Sequence, residues 1–135
     1  MAIEKAAVYH NIPIEQEFDY AQAIKTGDTI YLSGQVSVNP DDQDQVVGTG
    51  NMEAQIRQVY ANIQKVLGQY DLSVDHIVDE TIFVTDIDAF GAVAGSCRRD
   101  IFAGSAIVAS TVIQIQRLWL AELMIEIKCV AKVGR

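Results

Sequence analysis

Between Met52 and Tyr70 the apolar positions Met52, Ile56, Val59, Ile63, Val66 and Tyr70 are spaced 4, 3, 4, 3 and 4 residues apart. That period draws one apolar stripe along one face of a helix. Asn51 stands where its N-cap belongs. Gln55, Gln58, Asn62 and Gln69 fall on the opposite face, which the pattern predicts to be solvated. From about Ala6 to Ser37 the chain reads as strands instead. Ala7-Val8-Tyr9, Ala21–Ile24 and Thr29–Ser33 are the β-rich runs, and Lys25-Thr26-Gly27-Asp28 is a hairpin turn. Asn39 to Gly50, rich in Gly and Asp, reads as the most mobile loop. Ile77 to Thr85 predicts a further strand. Asp86 or Asp88 then caps a shorter helix, Ala89 to Phe102, and two strand-like runs follow, Ser110 to Leu118 and Leu123 to Lys132.

This order predicts an α+β fold with helices layered on one face of a mixed sheet. In the last strand Leu123, Ile125, Ile127 and Cys129 share one face, and Met124, Glu126, Lys128 and Val130 share the other. In the strand before it, Ile113 and Ile115 oppose Gln114 and Gln116. Both sheet faces therefore carry apolar residues. Helices cover one; a second subunit is the economical cover for the other.

Composition narrows the function. The 135 residues are half hydrophobic and include two prolines, which fits one domain over residues 1–135 and excludes a disordered chain. No run is apolar and long enough for a membrane span, and the start Met1-Ala2-Ile3-Glu4-Lys5 lacks a signal-peptide profile. The formal charge of −8 argues against nucleic acid and against anionic membrane surfaces. Cys97 and Cys129 fit no metal or CxxC spacing and read as small hydrophobes of a cytoplasmic protein. His10 and His76 head no metal or triad motif. Any chemistry must then come from carboxylates, hydroxyls and backbone groups.

Four segments together resemble the Rid (reactive intermediate deaminase) or YjgF family, often labelled endoribonuclease L-PSP. They are Tyr20 to Gln35, with its Ser-Gly-Gln end; Gln55 to Ile63; Ile82-Phe-Val-Thr-Asp-Ile-Asp-Ala-Phe90; and Ile125-Glu-Ile127. The resemblance spans nearly the whole chain in order. It implies a chorismate-mutase-like fold, a homotrimer with a central barrel of sheets, and small-molecule clefts between subunits. The implied activity is cofactor-free hydrolysis of enamines and imines, without metal. The family's water-positioning carboxylate matches Glu126, a hydroxyl near the substrate matches Ser33, and a cleft-lining tyrosine matches Tyr20. A carboxylate suits this work because it can hold water and accept its proton. The alternative for Glu126 is an exposed pair with Lys128.

The chain departs from the family where deaminating members carry an arginine that clamps the substrate carboxylate. Counting back from Arg117-Leu118 puts Ser110 there, within Ile107-Val108-Ala109-Ser110-Thr111, and Val112 replaces a common cysteine. The family asparagine in the second helix falls at Ala94 or Gly95. Ser110, Thr111 and Gly34 are the expected substrate-binding groups, with Arg98 or Arg99 as a replacement cation. The substrate expected is not a simple 2-imino acid. A non-catalytic ligand-binding or regulatory trimer is the second reading. RNA cleavage is disfavoured, with no histidine pair and no basic stripe.

Overall fold

The computed structural model describes residues 1–104 and 107–134, residues 43 and 44 by their backbone alone. The chain begins with β1 (Ala6–Val8), a short helix α1 (Pro13–Glu17), and the hairpin β2 (Ala23–Thr26) and β3 (Thr29–Leu32). Gly27 turns that hairpin at φ +61°, a conformation that disfavours side chains with a Cβ. Short strands β4 (Gln35–Val36), β5 (Val38–Asn39) and β6 (Asp42–Val46) follow, then α2 (Met52–Gly68). A 3₁₀ turn, Val74–His76, leads into β7 (Ile77–Val84), α3 (Ile87–Ile101), β8 (Ala109–Gln114) and β9 (Ile125–Lys132).

The main sheet runs β1-β2-β3-β9-β7-β8, with β4 paired to β9 beyond the end of β3. β7 and β8 are parallel, and α3 makes the crossover that a parallel pair requires. The other pairs are antiparallel. β9 is central because its alternation suits that position. Ile125, Ile127, Cys129 and Ala131 are buried against the helices, while Glu126 and Val130 are half-buried on the open face. Helix α2 contributes Ile56, Val59, Ile63 and Val66 to the core, as its stripe predicts. Helix α3 contributes Phe90, Ala94 and Cys97 at helical spacing. Asn51 Oδ1 accepts the Ala54 N–H at 3.0 Å, and Asp86 Oδ1 accepts the Ala89 N–H at 3.0 Å, so both helices start at a side-chain cap. Between the two candidate caps, Asp86 is the one used.

The stretch from Ala6 to Ser37, which reads as strands, also holds helix α1, and three further expectations need correction. First, the loop from Asn39 to Gly50 contains a strand, and β5 pairs with it as a small second sheet. Second, the β8 ladder ends at Gln114 rather than running to Leu118. Third, the polar face of α2 is not solvated throughout. Gln55 is fully buried: its Nε2 donates to Gly48 O (3.1 Å) and Glu122 O (2.9 Å), and its Oε1 accepts the Met124 N–H (2.8 Å). Asn62 Nδ2 donates to Val36 O and Val38 O, both at 2.9 Å. These amides satisfy backbone groups that β4, β5 and the entry to β9 would otherwise bury without partners.

The open face of the sheet presents Tyr31 opposite Val130, and Phe83 between Glu126 and Ile113. Tyr31 and Ile113 are exposed in the single chain. Among the described residues, no helix is long and apolar enough to cross a membrane.

Candidate active site around Glu126

A cavity of about 370 Å³ opens between α1, β4, the loop before β9, and β9 itself. Glu126, Gly34 and Tyr20 all line it, so three of the predicted site residues converge. A wider hollow of about 770 Å³ lies on the other side of α1 and shares Tyr20, but not Glu126 or Gly34.

Among the described residues, Glu126 makes no ion pair, and no hydrogen bond to it forms. The pair with Lys128 is therefore not what holds it; Lys128 acts only through its field. Burial lifts the Glu126 carboxyl above the ordinary glutamate range, and Lys128 opposes that rise. The carboxyl group lies flat on the backbone at Gly34. A Cβ built there would come 2.7 Å from Glu126 Cδ and 2.9 Å from Cγ. The glycine of the Ser-Gly-Gln segment thus leaves room for the carboxylate, a role that the pairing of Val36 with Glu126 in β4 and β9 makes possible.

Tyr20 is half-buried. Burial raises its phenol, a hydrogen bond from Gln22 pulls the other way, and the carboxylates of Glu15 and Glu126 add to the rise. Tyr20 therefore stays a neutral donor near neutral pH. Beneath it lies a polar network that no sequence pattern announced. Glu15, buried on α1, accepts the His10 N–H (2.8 Å), the Ile12 N–H (3.0 Å) and Gln22 Nε2 (2.9 Å). Gln35 Nε2 donates to Gln22 Oε1 (2.8 Å) and to Ser33 O (3.1 Å). Gln35 Oε1 is then left to accept, so His10 Nε2, at 3.1 Å, is assigned as the protonated ring nitrogen. The signal for this network was the pair Gln22 and Gln35 in strand-like text, where amides are unusual unless partnered.

Ser33 borders this site without lining the cavity. Its hydroxyl donates to Ala21 O at 2.7 Å, which leaves Oγ free only to accept. Ser110 and Thr111 lie elsewhere, on the edge strand β8, both exposed. Ser110 is in register with Glu80 and, through it, with Cys129. Two strand spacings and three residues separate it from Glu126, about 10 Å in each direction. Alternation also turns Ser110 to the helix side of the sheet and Thr111 to the side of Glu126.

Arg98 does not join the cavity. Its Nη1 lies 2.7 Å from Oε2 of the fully buried Glu80 and donates to Tyr60 Oη at 2.6 Å, and its guanidinium sits over the Phe102 ring at 5.2 Å. Tyr60 Oη donates in turn to Glu80 Oε1 at 2.6 Å. The cation expected for substrate is engaged in joining α3 to the sheet. Arg99 is exposed and lies along Gly95 of its own helix. Both cysteines are buried; burial pushes the Cys129 thiol up to about 12 and raises Cys97 as well. Neither has the character of a nucleophile. Among the described residues, no cluster of three or more His, Cys, Asp and Glu is arranged to hold a metal.

The family model described as Endoribonuclease L-PSP matches residues 13–133, so the chain belongs to that family. A RutC family protein of Synechocystis sp. is 30% identical over 112 residues, covering 83% of this chain and 84% of its own length. The YjgF gene product of E. coli superposes with a TM-score of 0.81 at 27% identity, over 96% of this chain and 98% of its own. YyfA of Yersinia pestis, described as a protein of unknown function of the conserved Rid family, gives 0.79 at 32% identity over 98% of each chain. The family and the α+β, YjgF-like fold expected from the four segments are both found.

Proposed function

We propose that this protein is a cofactor-independent imine and enamine hydrolase, acting as a cytoplasmic homotrimer on a small reactive metabolite. The observation that supports it best is the half-buried carboxylate of Glu126, free of hydrogen-bond and ion-pair partners among the described residues and seated on Gly34 beside Tyr20. A carboxylate lifted by burial is a better base than one in water, and its free oxygens leave room for a water molecule.

The reaction is R₂C=NH + H₂O → R₂C=O + NH₃. An enamine first takes a proton on carbon and becomes the iminium. Water held by Glu126 gives its proton to the carboxylate as its oxygen bonds to the imine carbon, and the C=N π pair moves to nitrogen. The carbinolamine then collapses: Glu126 gives the proton it holds to the amine nitrogen, and the hydroxyl oxygen forms the C=O as the C–N bond breaks and ammonia leaves. The hydroxyl proton passes through the freed carboxylate to water, balancing the proton that the enamine took up. Tyr20 donates a hydrogen bond to the nitrogen once the π pair has moved there. With Ser110 in place of the clamping arginine, the substrate lacks an essential α-carboxylate. The family is known for oligomeric assemblies, and a trimer would cover the open sheet face around Tyr31, Phe83 and Ile113.

Ammonia release from a panel of freshly generated imines tests this. Glu126→Gln keeps shape but cannot accept a proton, and its rate is expected to fall by about 10²–10⁴ at equal oligomer content. A correctly assembled Glu126→Gln protein with full activity would overturn the base assignment and leave a non-catalytic ligand-binding protein.

A further inference from the structure

The mouth of the Glu126 cavity is built from two aromatic rings. Phe18 follows α1 and Trp119 stands in the loop before β9, with ring centroids 5.5 Å apart and planes at 80°. Both line the cavity, and both are exposed, at 51% and 67%. Behind them the wall is aliphatic, including Leu120 and Leu123. Among the described residues the charged groups on the lining are Glu17 and Glu126, with no lysine or arginine. His10, the remaining titratable wall residue besides Tyr20, points Nε2 at Gln35.

Carboxylates and exposed aromatic faces together suit a cation that carries hydrocarbon: the carboxylate draws the charge, and the rings pack against the hydrocarbon. An anion entering this cavity would face two negative groups with no arginine or lysine to offset them. The volume is also at the lower end of the range for organic-ligand clefts, larger than an unsubstituted three-carbon substrate needs.

We infer that the cavity selects a primary ammonium or iminium ion bearing an aromatic or branched apolar substituent, the nitrogen toward Glu126 and the substituent against the exposed faces of Phe18 and Trp119. The placement of nitrogen beside Glu126 rests on the hydrolase reading above. A protonated imine is the cationic form of that reaction's electrophile, so the same preference would favour the reactive species over its anionic relatives.

The test is a binding titration of the intact protein with three probes of similar shape: phenethylamine, 2-phenylethanol and 3-phenylpropionate. Trp119 is the chain's one tryptophan, so its fluorescence reports on the mouth directly. Phenethylamine is expected to bind about tenfold more tightly than the alcohol, and the carboxylate most weakly. Glu126→Gln is expected to erase the difference between amine and alcohol. Trp119→Ala, an exposed position that should not disturb folding, and Phe18→Leu are each expected to weaken amine binding about fivefold, read by calorimetry. Equal or tighter binding of 3-phenylpropionate would overturn the inference. So would unchanged amine affinity in both aromatic variants, or a Trp119→Ala protein that loses subunits, which would make the pair a subunit contact. Imine hydrolysis that depends on Glu126 but shows no amine preference would refute this inference and leave the hydrolase standing. Amine preference without turnover of any imine would support it and refute the hydrolase.

Discussion

Replacing Gly34 by alanine isolates the placement of the Glu126 carboxylate from its chemistry. The added Cβ would lie 2.7 Å from Glu126 Cδ, inside any real carbon–carbon contact. Backbone strain does not enter, because Gly34 is absent from the positions with positive φ. The strands are held in register at Gln35–Ile127 and Val36–Glu126, whereas among the described residues no ion pair holds the Glu126 side chain in place. The side chain therefore yields. Driving it from its rotamer costs about 0.5–1.5 kcal/mol, which sets the expected loss of stability. A displacement of about 1 Å at a reacting group costs about 10²-fold in rate, which sets the expected loss of kcat/KM. Ammonia release and chemical denaturation, run on the same preparation, read the two separately. The carboxylate should also move toward water, so the acid limb of the rate profile should fall back toward the ordinary glutamate value. Gly91→Ala is the control: it sits on α3 with nothing within 4 Å of the added Cβ, and should keep full activity. A folded, assembled Gly34→Ala protein with wild-type kcat/KM would show that the carboxylate position at Gly34 is irrelevant to turnover.

Because burial raises the Glu126 carboxyl, the active deprotonated form should be lost on acidification at a pH above the ordinary glutamate range, with Tyr20 neutral throughout; a rate profile with its acid limb at or below that range would contradict this. The same shift has a sign for stability. The folded state holds this proton more tightly than the unfolded chain, so Glu126 contributes a cost that appears as pH rises through the folded value, and Glu126→Gln should be more stable than wild type at neutral pH by denaturant unfolding. Arg98→Met should destabilise by about 3–5 kcal/mol, because Glu80 is left buried without its cation, and adding Glu80→Leu should recover most of the loss. Light scattering at micromolar concentration should give a mass about three times 14.8 kDa; a stable monomer would remove the proposed trimer.

Much of the fold was written in local periodicity. The spacing from Met52 to Tyr70, the alternation from Leu123 to Ala131, the caps Asn51 and Asp86 and the turn at Gly27 each depend on near neighbours in the chain. A sequence exposes such relations directly, and the structure keeps them all. The site residues Tyr20, Gly34 and Glu126 came from resemblance, and tertiary structure brings them to one cavity. What the pattern could not carry are the choices made between distant segments. A glutamine on the outer face of a helix looks the same whether it meets water or, like Gln55, the backbone at Glu122 and Met124, 67 and 69 residues away. Arg98 reads as a cation for substrate because nothing near it in the chain says that Glu80 is buried beneath it. Helix α1 is five residues long, too short for a period, and it stands because Glu15 collects donors from His10, Ile12 and Gln22. Periodicity reports which face is apolar; the partner of a buried polar group is set by which strands and loops the completed fold lays against it, and that was decided only in three dimensions.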